Sequence, residues 1–253
     1  MILPSGFGLG IPHQNAELEP EYYGRTLRKF HPDCYHNWLF DLDDSRYFPT
    51  LWDTSWAIDK RKKILNSPSA KTEKVWFLGN EPEVSSQSNT GAGNAVKYAR
   101  YWKANIGLPF AMPGILWGEG GRDWWSEYRR LGGPKPDVYH MHIYAYSAES
   151  WIHQLEDALR TFRDRPLIIT EYGGWQLSPM LQAEIMYSAW KAIHLRKIIP
   201  AAFWFSSHYG SYDPFWLSTD CENKDGILTG VGNSFQNIVS KDEYDTYIPV
   251  VTR

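Results

Sequence analysis

Two short stretches carry residue types that could do chemistry. "WFLGNEPE", from Trp76 to Glu83, is an apolar run that stops abruptly on Asn80 and Glu81 and is pinned by Pro82. "LIITEYGG", from Leu167 to Gly174, is a β-branched run that stops on Thr170 and Glu171 before two glycines. Two carboxyl groups, each at the end of a strand-like segment, suit a reaction in which one is protonated and donates to a leaving oxygen. The other is ionised and attacks or stabilises a cationic centre. Burial and like-charge proximity are what push two such pKa values apart. Glycosidic-bond hydrolysis has these requirements. If the pair shares one site and the reaction retains configuration, the carboxyls should stand about 5–5.5 Å apart; about 9 Å would mean inversion. Asn80 has an amide suited to a sugar hydroxyl. The plainer reading is that each glutamate simply opens a helix, where the macrodipole favours an acid.

The elements that must position these groups are legible as alternating patterns. Strand-like runs fall at Gly6–Ile11, His36–Asp41, Phe48–Trp52, Val75–Asn80, Leu108–Ile115, Asp137–Tyr144, Pro166–Glu171 and Ala201–Ser206. Helical patterns fill most gaps. Trp151, Leu155, Ala158, Leu159 and Phe162 form one apolar stripe, Val96, Ala99 and Trp102 another, and Ser178-Pro179 reads as an N-cap followed by proline in the first turn. The second and third runs are too close for a full helix between them. Eight strands alternating with helices over 253 residues fit a single (β/α)8 barrel, residues 1–253, whose active site lies at the C-terminal strand ends. A doubly wound nucleotide fold is disfavoured: "GFGLGIP" lacks the full G-x-G-x-x-G and runs into Pro12.

Composition sets the outer bounds. The chain is 43% hydrophobic and 22% charged, with net charge −3, which is ordinary for a soluble globular protein and offers no electrostatic basis for binding nucleic acid or an anionic membrane. No apolar run reaches the ~20 residues of a membrane helix. No signal peptide is visible, although a secreted protein whose leader has been removed would look the same. The two cysteines, Cys34 and Cys221, have no metal-finger spacing. A monomer without cofactor is the default expectation. The 13 Trp and 16 Tyr are unusual, and aromatic faces stack on the C–H faces of sugar rings.

Further candidates follow from position. His140, His142 and Tyr144 alternate on the sixth strand and share one face. Facing the lumen, His142 or Tyr144 would hydrogen-bond Glu171 and hold it ionised; a metal held by His140-Met141-His142, or a merely structural polar layer, are the alternatives. Trp38 and Trp52 are candidate sugar-stacking surfaces. Glu119, in "LWGEGGRDWW", could take a sugar hydroxyl or be a solvated loop residue, and Glu83 and Asp213 are further carboxylates of the same kind.

"GNEP" after a fourth strand with "TEYGG" after a seventh resembles clan A of the glycoside hydrolases. With Asn37-Trp38, "FPTLW", "DVYHMHIY" and "FWF" at Phe203–Phe205, the whole series is similar, in order, to the glycosyl hydrolase catalytic-core family, glycoside hydrolase family 128, associated with β-1,3-glucan cleavage. The resemblance implies a retaining (β/α)8 endo-glycosidase with Glu81 as acid/base and Glu171 as nucleophile. It also implies Trp204 as the floor beneath the sugar at the cleavage point, and an oligo- or polysaccharide as partner. The chain departs from the family pattern at Glu83, where Asp is common, at Ile143, where Trp is common, and in the long segment 206–226. A carbohydrate-binding barrel without catalysis and a metal-dependent barrel hydrolase are the rival classes.

Overall fold

A computed structural model describes residues 1–12, 21–40, 42–207, 220, 221 and 227–240. Eight parallel strands form one sheet: β1 Gly6–Gly10, β2 Cys34–His36, β3 Thr50–Leu51, β4 Trp76–Leu78, β5 Phe110–Leu116, β6 Val138–Ala145, β7 Leu167–Gly174 and β8 Ala201–Trp204. Their order is β2-β1-β8-β7-β6-β5-β4-β3, and the remaining seam between β2 and β3 is spanned by a single parallel bridge, Tyr35 to Tyr47. The result is a nearly closed (β/α)8 barrel. Each expected strand is present. The second begins earlier than expected, at Cys34, and ends at His36, because the chain turns there: Trp38 takes a left-handed φ of 59°. Asp41, the expected end of that strand, lies outside the described residues.

Strand periodicity sorts the side chains into layers. Cys34, Phe48, Val75, Phe77, Ala111, Val138, Ile168, Ala201 and Phe203 fill the lower lumen. The intervening residues, among them Leu9, Trp76, Leu78, Met141, Ile143, Tyr172 and Trp204, face outward and meet the helices. The helices supply the matching stripes. Ala148–Thr161 buries Trp151, Leu155 and Ala158, and its start is fixed by a capping box between Ser147 and Ser150. Pro179–Trp190 opens as the sequence predicts, with the Ser178 side chain accepting from the amide of Leu181. No helix separates β2 from β3 among the described residues. Cys34 lies in the lumen and Cys221 in the outer layer, and no disulfide joins them. No described helix is long and apolar enough to cross a membrane.

Candidate active site

Above the apolar floor of the lumen sits a polar layer. His140 bonds the Thr170 hydroxyl through Nδ1 (3.0 Å) and the Leu78 carbonyl through Nε2 (3.3 Å), and His36 Nε2 meets the Thr170 carbonyl at 2.9 Å. Burial pulls both imidazoles down to a pKa of about 3, so both stay neutral and structural. His140 is therefore part of a satisfied layer and not half of an H-x-H metal site with His142.

Glu171 owes its place to an irregularity. Along β7, Ile168 faces the lumen and Ile169 faces out, so simple alternation would send Thr170 in and Glu171 out. The β6–β7 register instead slips between Met141 and His142, from Ile169 to Glu171, and both Thr170 and Glu171 point inward. There the Glu171 carboxylate accepts from Trp38 Nε1 (2.5 Å) on one oxygen and from the Tyr144 hydroxyl (3.0 Å) on the other. Trp38 thus serves as a donor to the carboxylate rather than as the stacking face its type suggested. Its left-handed turn is held by Asn37, whose Oδ1 accepts from the Tyr47 hydroxyl (2.6 Å) and the Leu39 amide (3.0 Å).

Glu81 is placed by backbone geometry just past β4. Gly79 has φ 87° and Glu81 itself φ 46°, and the Glu81 amide donates to the Gly114 carbonyl of β5 at 2.7 Å. Gly114 must be glycine: its φ is 69°, and a Cβ would stand 2.3 Å from the Gly79 carbonyl oxygen. His142 joins the two glutamates, with Nδ1 2.8 Å from Glu81 Oε1 and 3.4 Å from Glu171 Oε2. One donor atom from each of Glu81, His142 and Glu171 lies within 4.8 Å of the others, and all three residues are buried. The structure thus brings Glu81, His142 and Glu171 together in one buried cluster. Three such donors could also hold a divalent cation.

Electrostatics couples the three. Burial raises the Glu171 pKa to about 7; the Glu81 carboxylate adds to the rise, while His142, Trp38 and Tyr144 favour the ionised form. Burial alone would pull His142 down, but the charges of Glu171 and Glu81 outweigh it and raise its pKa. The titrations of Glu171 and His142 are therefore coupled, each depending on the charge of the other.

The remaining candidates divide. Asn80 is buried beside Glu81. Its amide nitrogen donates to Gln87 Oε1 (3.1 Å), and its oxygen is buried with no hydrogen-bond partner. Trp52 is half-buried against the aromatic cluster of Trp38, Tyr144 and Phe205. Glu119 is exposed in the first turn of the helix Glu119–Arg130, on the mouth side of β5 but away from the buried cluster. Trp204 corrects the expectation: it is fully buried in the outer layer, edge-on to Tyr172 at 5.1 Å, because β8 turns that position away from the lumen. Phe205 occupies the mouth instead, edge-on to Trp38 (5.7 Å) and Tyr144 (6.2 Å). Strand parity could have found it, since Phe203 is inward and Phe205 shares its face. Trp175, half-buried beside Tyr144, was also missed. Asp213 and most of the segment 206–226 lie outside the described residues.

A (β/α)8 barrel with two glutamates meeting in its mouth, one just past β4 and one on β7, has the arrangement of a glycoside hydrolase. The chain belongs to the glycosyl hydrolase catalytic-core family, whose sequence profile matches residues 29–235. Nothing among curated protein sequences matches it. Solved structures do. An exo-β-1,3-glucanase of glycoside hydrolase family 128 (subgroup VI) from Aureobasidium namibiae is 17% identical with TM-score 0.74, covering 93% of this chain and 97% of its own. An endo-β-1,3-glucanase (subgroup I) from Amycolatopsis mediterranei in complex with laminaritriose is 16% identical with TM-score 0.68, covering 92% and 99%. A curdlan-specific exo-β-1,3-glucanase (subgroup III) from Blastomyces gilchristii in complex with glucose is 19% identical with TM-score 0.65, covering 92% and 99%.

Proposed function

We propose that this glycoside hydrolase cleaves β-1,3-glucan internally, with net retention, by double displacement. The observation that carries the retaining reading is the short gap between the glutamates, one oxygen of each within 4.8 Å, close to the separation at which one carboxylate attacks directly. Glu171 is the nucleophile: donors on both of its oxygens orient it and favour its charge. Glu81 protonates the departing glycosidic oxygen as Glu171 bonds the anomeric carbon, then takes a proton from the water that releases the sugar. His142, touching both, holds the proton balance between them. Asn80, immediately before Glu81, is the candidate partner for a hydroxyl of the bound sugar.

The β-1,3 linkage rests on the relatives, which are β-1,3-glucanases of both endo and exo action. Internal cleavage is supported by half-buried apolar side chains, Trp52, Leu116 and Trp175, set around the aromatic cluster at the mouth and able to contact sugars beyond the cleavage point. The test is digestion of a soluble β-1,3-glucan followed by proton NMR and product sizing. Mixed short oligomers whose first-formed reducing ends are β are expected. First-formed α ends would mean inversion, glucose alone would mean exo action, and activity confined to β-1,4-glucan would remove the substrate assignment. Undiminished turnover in a chelator separates this reading from a metal-dependent one that would use Glu81, His142 and Glu171 as ligands.

A further inference from the structure

Glu83 lies two residues beyond Glu81, and its side chain folds back toward β5. One carboxyl oxygen accepts from the amide of Leu116 at 2.7 Å; the other is buried with no hydrogen-bond partner. The accepted amide explains the arrangement. Strand β4 pairs with β5 only at Trp76–Phe110 and Phe77–Ala111, and it ends at Leu78. Leu116 stands at the far end of β5, past a register shift between Pro113 and Ile115, where β4 has no backbone carbonyl left to offer. The Glu83 carboxyl group supplies the missing acceptor. Together with the Glu81 amide bonded to the Gly114 carbonyl, it ties the segment carrying Glu81 to β5 on both sides of the glutamate.

We propose that Glu83 is a positioning residue, whose carboxyl oxygen stands in for the missing end of β4 and fixes where Glu81 stands in the mouth. Such a clamp is needed because Glu81 holds a left-handed backbone, φ 46°, a conformation a non-glycine residue keeps only under constraint from its surroundings. The oxygen that bonds Leu116 is the working part. Its partner oxygen is buried with no hydrogen-bond partner among the described residues, so nothing there pairs with a charge. An amide of the same shape should therefore serve as well as the acid.

The kinetic consequence rests on Glu81 being the general acid, as proposed above; the structural consequence does not. Crystal structures and amide exchange of Glu83→Ala and Glu83→Gln test the second. In Glu83→Ala the Leu116 amide should exchange at least tenfold faster and Glu81 should shift, whereas Glu83→Gln should match the parent in both. Glu81 unmoved in Glu83→Ala, or moved equally in both variants, overturns the proposal. In turnover, Glu83→Ala should lower kcat on glucan 10- to 100-fold with little change in KM. It should spare a 2,4-dinitrophenyl glycoside, which needs no acid to leave, and Glu83→Gln should restore glucan hydrolysis to within about threefold. Equal losses on both substrates, or a Gln variant as poor as Ala, would show that the side chain acts other than through Glu81.

Discussion

At the scale of single residues, the proposed reaction divides labour between two carboxylates that differ in their partners. Glu171 is gripped by Trp38 and Tyr144, while Glu81 meets the ring of His142. The roles follow and are separable. Glu171→Ala should be inactive, and azide should restore turnover with formation of an α-glycosyl azide, because a small anion replaces the attacking carboxylate from its own side. Glu81→Ala should lose about 10²–10⁴-fold on glucan and, with azide, give the β-glycosyl azide. Isolating the opposite anomers would exchange the two assignments. The Glu171 pKa near 7 gives a second test. As the proposed nucleophile, Glu171 must be ionised to attack, so kcat/KM should fall as pH drops through about 7. Tyr144→Phe removes a bond to the ionised form, which moves that limb to higher pH and makes the variant's deficit larger at pH 6 than at pH 8. A pH profile of the same shape and midpoint would show that the Tyr144 hydroxyl does not hold Glu171 ionised.

At the scale of elements, strand parity and its interruptions decide which aromatic side chains see substrate. In β8, Phe203 and Phe205 face the lumen and Trp204 faces the helices, so the indole that sequence similarity placed beneath the sugar is packing material. Trp204→Ala should therefore cost about 3–5 kcal/mol of stability, seen as a lowered denaturation midpoint, with kcat and KM of the folded fraction nearly unchanged. A loss of activity without a loss of stability would return Trp204 to the site. The irregular elements matter as much as the regular ones. The bulge in β7 delivers Glu171, the left-handed Gly79–Glu81 segment delivers Glu81, and the left-handed turn at Trp38 delivers a donor to Glu171.

At the scale of the whole molecule, the barrel holds an acid in surroundings that disfavour its charge, and stability should record this. Glu171 has a folded-state pKa of about 7 against an ordinary 4.5. A raised pKa contributes stability that is fully present below 4.5 and is lost as pH rises through about 7. Glu171→Gln cannot ionise and escapes that loss. It should match the parent near pH 4.5 and exceed it by on the order of 1–3 kcal/mol at pH 8, measured by denaturant unfolding. A parent as stable as the variant at pH 8 would mean that Trp38, Tyr144 and His142 fully offset the burial of the carboxylate.

Much of this molecule was determined by local sequence alone. Eight apolar runs, their helical spacers and the Ser178-Pro179 start were readable because each is set by periodicity or by the first turn of a helix, which depend on neighbours in the chain. Glu81, Glu171, His142 and Tyr144 were readable for the same reason: they sit at the C-terminal ends of recognisable strands, and a parallel barrel gathers those ends at one mouth. Tertiary structure decided what depends on register between strands. Parity counted from Ile168 would have turned Glu171 outward, and only the slip against β6 turned it in. Trp38 became a hydrogen-bond donor because its left-handed turn aims the indole nitrogen at a carboxylate 133 positions away in sequence. Glu83 became a clamp because β4 ends short of Leu116. These choices are made by which backbone groups lack a partner once the sheet has closed, and a single chain segment carries no record of its neighbour's register.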